Sequence, residues 1–392
     1  MSTASTTTTA PPAQPVIAGL GAVVLVGGAA LLAADGWKPG ALFLVGGLLG
    51  VSLYHAAFGF TAAYRDAIVR RDVSGVVAQL VMLGAAMALF APVLAEGRVF
   101  GHGVVGAVAP VGLQVAFGSL IFGLGMQLGG GCGSGTLYTV GGGSTRMVIT
   151  LVAFCAGGLW GSLDMEFWAA APRWRAVSLA AEFGWPLALA LQFTVLGALW
   201  FGLRRWAGAA AQRPLWSRRL GWRDLARGPW PLLLGAGLLA LLNWLTLLIA
   251  GHPWTVTWGF TLWGAKAAAL LGWEPAASAF WSGGFPARAM AGGVFDDVTS
   301  VMNIGIVLGA LTAAGLAGRF APTRRIALRG ALAAVIGGLA MGYGARLAFG
   351  CNIGAFFSGV ASTSLHGWLW IVCALPGTWI GVRLRPLFGL PR

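Results

Sequence analysis

The sequence predicts an all-α polytopic membrane protein with about ten transmembrane helices, built as an inverted repeat with re-entrant short helices. Three observations carry that expectation. The chain is 58% hydrophobic and only 9% charged, with a mean hydropathy of +0.81, far from the balance of a soluble domain. Apolar stretches recur at or near the ~20 residues that cross a bilayer core. A glycine–cysteine motif is written twice, as GLGMQLGGGCGSG at 123–135 and GYGARLAFGCNIG at 342–354.

Taken in order, residues 1–15 (MSTASTTTTAPPAQP) read as a polar, disordered tail. The tail holds no Lys or Arg, so it lacks the basic region of a secretory signal. A retained extra helix is expected over 16–34, within an N-terminal segment 16–39. Later spans are expected near 40–60, 73–94, 104–127, 145–164, 184–203, 230–251, 297–317, 330–349 and 366–384. The 63 glycines allow these helices to pack closely in lipid, and many of the 19 tryptophans sit near span ends, as interfacial belts do.

The net charge of +14 lies in four groups, so it calls for no nucleic-acid partner. Arg65, Arg70 and Arg71 form the first, and the seven arginines from Arg204 to Arg227 the second. Arg319, Arg324, Arg325 and Arg329 form the third, and Arg383, Arg385 and Arg392 the fourth. The intervening loops are mixed or acidic. The positive-inside rule puts all four groups, and with ten spans both termini, in the cytoplasm. A basic face of this kind also attracts anions or an acidic partner.

A second echo makes the repeat inverted. FGFTAAYRD at 58–66 has a counterpart in WGFTLWGAK at 258–266, and the expected topology places the two on opposite faces. The repeats are therefore expected at 40–164 and 230–385, joined by 165–229 (a connecting helix and a basic cytoplasmic loop) and followed by a short tail, 386–392. Segment 270–295 is extra to the second repeat. Folds of this kind hold substrate near the bilayer midplane among broken helices. GGGCGSGT and AFGCNIGA are too glycine-rich for continuous helix, since each Gly costs ~1 kcal/mol relative to Ala. Residues 128–143 and 348–362 are thus expected to re-enter from opposite faces, with free amides suited to an anion.

The four cysteines form no C-x-x-C pair and no metal or haem spacing. Cys155 and Cys373 read as small core residues. Cys132 and Cys351, aligned by the repeat, can contact a soft metal, exchange disulfides or meet a sulfur-containing substrate. Copper(I) would need more sulfur or imidazole, and neither Met nor His forms a ligand ladder; no metal or cofactor is expected. The substrate pathway is assigned to Cys132, Cys351, Gly131, Gly133, Ser134, Gly350, Asn352 and Gly354, with Thr136 and Ser358 as further donors. Arg346, near the outer end of its helix, either attracts anions at the outer entrance or snorkels. His55, His366 and Lys266 are expected as interfacial anchors, and Asp296 and Asp297 as caps of the 297–317 helix.

The doubled motif G-x-G-x-x-L-x-x-G-C-x-x-G, the stretch LAFGCNIGAFFSG, SLHGWLW at 364–370 and WGFTLWGAK together resemble the YeeE/YedE family of sulfur-compound transporters, over both repeats. The resemblance implies a bacterial inner-membrane uptake protein for thiosulfate or a related sulfur anion. Its fold would be a helical bundle constricted in the middle, with short helices approaching from both sides. Cys132 and Cys351 would line the route as protonated thiols, and a cytosolic TusA-like sulfurtransferase would be the partner. One position departs from the pattern: many members carry a third cysteine where this chain has Gly59, which implies two thiol stations rather than three and room for a larger thio-compound. The chemistry is coherent, because a neutral thiol contacts a soft sulfur without holding it tightly, and conduction needs sites that release. No Lys or Arg lies within 128–143 or 348–362. The competing reading is a membrane enzyme of thiol or persulfide exchange, against which stands the lack of C-x-x-C.

Overall fold

Ten helices among the described residues are long and apolar enough to cross a membrane. The computed structural model describes residues 11–216, 220–323 and 325–392. In chain order the principal elements are α1 (Pro15–Leu32), α2 (Trp37–Ala56), α3 (Phe60–Arg70), α4 (Ser74–Glu96), α5 (Leu113–Gly129), α6 (Gly133–Gly141) and α7 (Thr145–Leu163). Helix α8 (Trp185–Ala207) follows, then α9 (Leu232–Ala250), α10 (Thr257–Leu270), α11 (Val298–Ala317) and α12 (Leu328–Leu347). The π-helical turns Asn352–Phe357 run on into Ser358–Ala361, together α13, and α14 (Leu365–Leu384) closes the bundle. This is an all-α polytopic membrane protein.

All ten expected spans are present, with shifted ends. The largest shift is at 104–127, where helix begins only at Leu113. Pro110 has no amide to donate to a helix, and Pro110–Gly112 instead pairs with Arg173–Ala176 as a short antiparallel ribbon. The 40–60 span ends at Ala56, because Ala57 takes a left-handed conformation that stops α2. Asp297 caps α11 as expected, its carboxylate accepting from the Ser300 amide at 2.8 Å, while Asp296 accepts from Gly293 in the turn before. The expected tail, 1–15, falls mostly on residues 1–10, outside the described ones; Gln14 is fixed, its amide group bonded to the Phe320 backbone in both directions.

The packing is reciprocal. Helix α5 lies on α14 as α12 lies on α7; α2 lies on α11 as α9 lies on α4; α6 meets α11 as α13 meets α4. Helices α5 and α12 also face each other, as do α2 and α9. Such exchange of partners is what a two-fold relation between α2–α7 and α9–α14 requires. Helices α1 and α8 stand outside this scheme and show apolar side chains such as Val23, Leu191 and Phe193 to the surroundings.

Two expected anchors are buried instead. His55 is 3% exposed beneath Trp230, and His366 is 1% exposed with Nδ1 2.7 Å from Ser364 Oγ. Both are covered by adjoining helix ends, so neither ring is exposed as an interfacial anchor would be. Lys266 instead donates to the Met290 and Gly292 carbonyls at 2.9 and 2.6 Å and ties α10 to the 284–292 segment.

Candidate functional site

Helices α5 and α12 cross antiparallel through glycines, and their stagger creates the site. Gly118 lies against the Gly344 carbonyl and Leu347, while Gly125 lies against Gly337 and Met341. Gly129, the last residue of α5, packs beside Gly337 and Met341. Helix α5 therefore stops about nine residues, ~13 Å, short of the start of α12. At its other end α12 stops level with Gly118, inside the start of α5. Both chains then turn back as short helices. Gly130 (φ +98°) makes the first turn and Gly350 (φ +145°) the second, conformations that side chains disfavour.

Each turn delivers a cysteine to the N-terminus of its short helix. Cys132 caps α6, with Sγ accepting from the Gly135 amide at 3.4 Å and lying 3.5 Å from Ser134 Oγ. Cys351 caps α13, with Sγ accepting from the Ile353 amide at 3.4 Å. Both are 1% exposed. A Cβ added to Gly133 would stand 3.1 Å from Cys351 Sγ and 3.3 Å from both Thr257 and Val256. Gly133 is thus the contact through which the second thiol reaches the first half. The expected pathway residues accordingly come together, with Gly131 folded over the start of α6, Asn352 fully buried beside Cys351, and Gly354 open toward Thr255 at 3.8 Å. Thr136 and Ser358 do not face the site as free donors; they bond the Cys132 and Trp254 carbonyls.

A cavity approaches from each face. On the face carrying the basic loops, a cavity of about 470 Å³ is lined by Phe58, Gly59, Ala62, Asp66, Asp72, Gln79, Arg213 and Trp230. Gly59 lies in extended backbone (φ −117°), and a Cβ there would meet only the Tyr138 hydroxyl at 3.3 Å and Ala62. Arg213 reaches from the 208–216 loop to Asp72 at 2.5 Å and Asp66 at 3.3 Å. Burial works against ionisation of Asp72, but Ser74 and then Arg213 outweigh it and hold the carboxyl below its ordinary 3.8. On the opposite face a cavity of about 600 Å³ is lined by His252, Thr255, Trp258, Phe280, Arg288, Asp297, Thr299 and Arg346. The Arg346 guanidinium stands 5.0 Å from the Phe280 ring centre and 6.0 Å from that of Trp258, with Nε buried and unpartnered.

Several residues near the thiols escaped the reading of the sequence. Thr61 and Tyr64 on α3, Gln127 at the end of α5 and Tyr138 on α6 all converge here, and Tyr64 and Tyr138 lie within electrostatic reach of Cys132. A usable signal existed for two of them. Thr61 belongs to the repeated GFT, and Tyr64 follows it by one helical turn. Two arginines also come close from outside the glycine segments. Arg146 donates to the Leu128 carbonyl at 2.5 Å, and Arg385 donates to that of Gln127, so both cap the C-terminus of α5 beneath Cys132.

Comparison with known proteins gives a consistent account. Residues 55–380 match the protein family described as Sulphur transport. The chain is 28% identical over 355 residues to the thiosulfate transporter TsuA of Spirochaeta thermophila, covering 86% of this chain and 96% of that protein. It is 26% identical over 364 residues to TsuA of Escherichia coli, covering 88% and 94%. Over 168 residues it is 34% identical to the probable transporter YedE of Escherichia coli, covering 42% of this chain and only 39% of that protein, so the match spans about two fifths of the YedE length. With most of its length matched, the chain belongs to the sulphur-transport (YeeE/YedE) family.

Proposed function

We propose that this protein carries thiosulfate, or a related sulfur-containing anion, into the cell past Cys132 and Cys351 at a central constriction. The observation that carries this reading is the meeting of two thiols from opposite halves of the chain, each at a helix N-terminus, between two opposed cavities. The two relatives of matching length named as thiosulfate transporters support the substrate. The protein then sits in a bacterial inner membrane with both termini cytoplasmic, and 40–164 and 230–385 act as inverted repeats.

The chemistry follows from the parts. An anion entering from the outer cavity meets Arg346, whose unpartnered Nε and aromatic flanks offer charge without a competing carboxylate bond. At the constriction two helix N-termini favour negative charge by about 0.3–1 kcal/mol each. Neutral thiols contact the soft sulfur weakly, which lets the ion leave; a thiolate would repel it. Beyond lies the inner cavity, where Gly59 leaves space. A Gly59→Cys substitution fits the extended backbone there and adds a third thiol beside Tyr138. The exposed basic face provides the surface for a TusA-like sulfurtransferase that receives the sulfur.

Uptake of labelled thiosulfate by cells lacking other importers tests the reading. Cys132→Ala and Cys351→Ala should each abolish uptake at matched expression. Normal transport by both variants would sink it, and a covalent persulfide that persists on either cysteine during turnover would replace it with thiol-exchange catalysis.

A further inference from the structure

We infer that Thr61, Tyr64 and Asn352 form an oxygen-binding subsite beside Cys132, which takes the oxygen-bearing end of a sulfur oxyanion while the thiols meet its soft sulfur. This rests on the transport reading and specifies its substrate class: an anion with one soft sulfur terminus and one oxygenated terminus.

The starting point is an accumulation of unmet polar groups. Thr61 Oγ1, Tyr64 Oη and both amide atoms of Asn352 are buried without a hydrogen-bond partner. Thr61 is 4% exposed, Tyr64 3% and Asn352 0%. Folded proteins rarely leave such groups unpaired, because each forfeits its hydration. Here three occur together. Thr61 and Tyr64 lie one turn apart on α3 and share a face. The Tyr64 hydroxyl lies beside the Asn352 amide, near enough to interact with it but without a well-formed hydrogen bond, and within electrostatic reach of Cys132. Gln127 sets their position from α5, donating to the Thr61 carbonyl at 3.0 Å.

Their chemistry selects the ligand. Two hydroxyls and one carboxamide supply neutral donors and no fixed cation, so they can hold oxyanion oxygens and release them. They offer little to a bare sulfide or a thiol, which accept hydrogen bonds weakly.

The subsite is also one-sided. Counting from the repeated GFT, the counterpart of Tyr64 is Gly264; counting from the cysteines, the counterpart of Asn352 is Gly133. Gly264 packs against the Cys155 carbonyl and Gly133 against Cys351 Sγ, so neither position has space for a polar side chain. Thr261, the counterpart of Thr61, spends its hydroxyl on the Thr257 carbonyl at 3.2 Å. The counterpart positions therefore offer no equivalent donors, and the oxygenated end is bound toward α3.

The test uses purified full-length protein, in detergent and in proteoliposomes, with thiosulfate as the probe. Tyr64→Phe and Asn352→Ala should each raise the half-saturating thiosulfate concentration for uptake at least about ten-fold, the loss expected for a hydrogen bond to a charged ligand. Tyr64→Phe keeps the ring that packs on Phe60 and removes only an unpartnered hydroxyl. Its unfolding temperature without thiosulfate should therefore match or exceed wild type, while the stabilisation added by thiosulfate is lost. Wild-type half-saturation in both variants overturns the subsite, and so does a fall in the ligand-free unfolding temperature of Tyr64→Phe. Failure of the wild type itself to take up thiosulfate overturns the transport reading, and the subsite with it.

Discussion

The two halves of the bundle share one order of elements and differ in what they place at the centre. In the first half a regular α-helix follows Cys132, and Gly133 leaves room for the other thiol. In the second half π-helical turns follow Cys351, and the buried Asn352 amide makes no well-formed hydrogen bond among the described residues. The cavities diverge as well. The one on the basic-loop face closes its carboxylates, Asp66 and Asp72, against Arg213; the one on the opposite face leaves Arg346 without an acidic partner among the described residues. The backbone pattern thus recurs in both halves, and a few unmatched side chains give the two cavities different chemistry.

The largest effect expected from breaking this arrangement lies in the helix crossings. Gly309 on α11 packs directly on the Gly47 carbonyl of α2, whereas Gly237 on α9 has nothing within 4 Å of its would-be Cβ. Gly309→Leu should cost ~3 kcal/mol or more by overpacking, read as loss of monodisperse folded protein in detergent. Gly237→Ala should leave folding unchanged or stabilise it by ~0.5–1 kcal/mol. Equal tolerance at both positions would remove the close α2–α11 contact as a basis of the fold.

Next in size is the thiol contact itself. Gly133→Ala puts a methyl 3.1 Å from Cys351 Sγ, within a cage of Thr257 and Val256. Thiosulfate uptake should fall at least about ten-fold at unchanged expression, roughly the worth of one well-placed contact to a charged ligand. Unaltered uptake would show that the thiols need not approach each other through this glycine.

A smaller change is expected at the outer cavity. Arg346→Gln should lower uptake at subsaturating thiosulfate by about ten-fold or less and remove most of its dependence on ionic strength. A variant whose salt dependence matches wild type would relieve Arg346 of any role in attracting anions.

The smallest effect concerns the clasp over the inner cavity. Arg213 is two-thirds exposed, so the pair is screened and contributes only ~0.2–1 kcal/mol. Because the Asp72 pKa is depressed below 3.8 in the folded protein, this contribution is present above that ordinary value and is lost as pH falls through the depressed one. Arg213, whose own pKa is raised chiefly by its bond to Asp72, stays charged throughout. Amide exchange in 212–216 should therefore be constant from neutral pH down to the carboxylate range, after correction for intrinsic rates, and rise a few-fold below it. Arg213→Ala should show the faster exchange at every pH.

Much of the fold was legible in the chain. Apolar runs of bilayer length announced the spans, and the register of the two glycine–cysteine motifs singled out the segments that the fold brings together. Short helices were harder to see. Helices α3 and α10 both carry GFT near their start, yet neither coincides with an expected span: Phe60–Arg70 runs on past 40–60, and Thr257–Leu270 follows 230–251. Hydropathy does not distinguish a bent element from a straight one, and the break at Ala57–Gly59 depends on a left-handed residue that is an alanine. His55 and His366 were misplaced for a related reason: a histidine near a span end looks interfacial until another helix end covers it.

The sequence alone determined the solvent this protein lives in, the number of its candidate spans, and the alignment of two cysteines between its halves. Those properties follow from local composition and from a repeat that can be aligned by eye. Only the tertiary structure decided that α5 and α12 stop short of each other's far ends, which brings Cys351 up against Gly133. It alone decided that Tyr64 and Asn352, 288 residues apart in the chain, face each other unpartnered beside a thiol. The reason is physical: helix stagger is set by which glycines allow backbones to touch, and a polar group is unmet only in relation to everything packed around it.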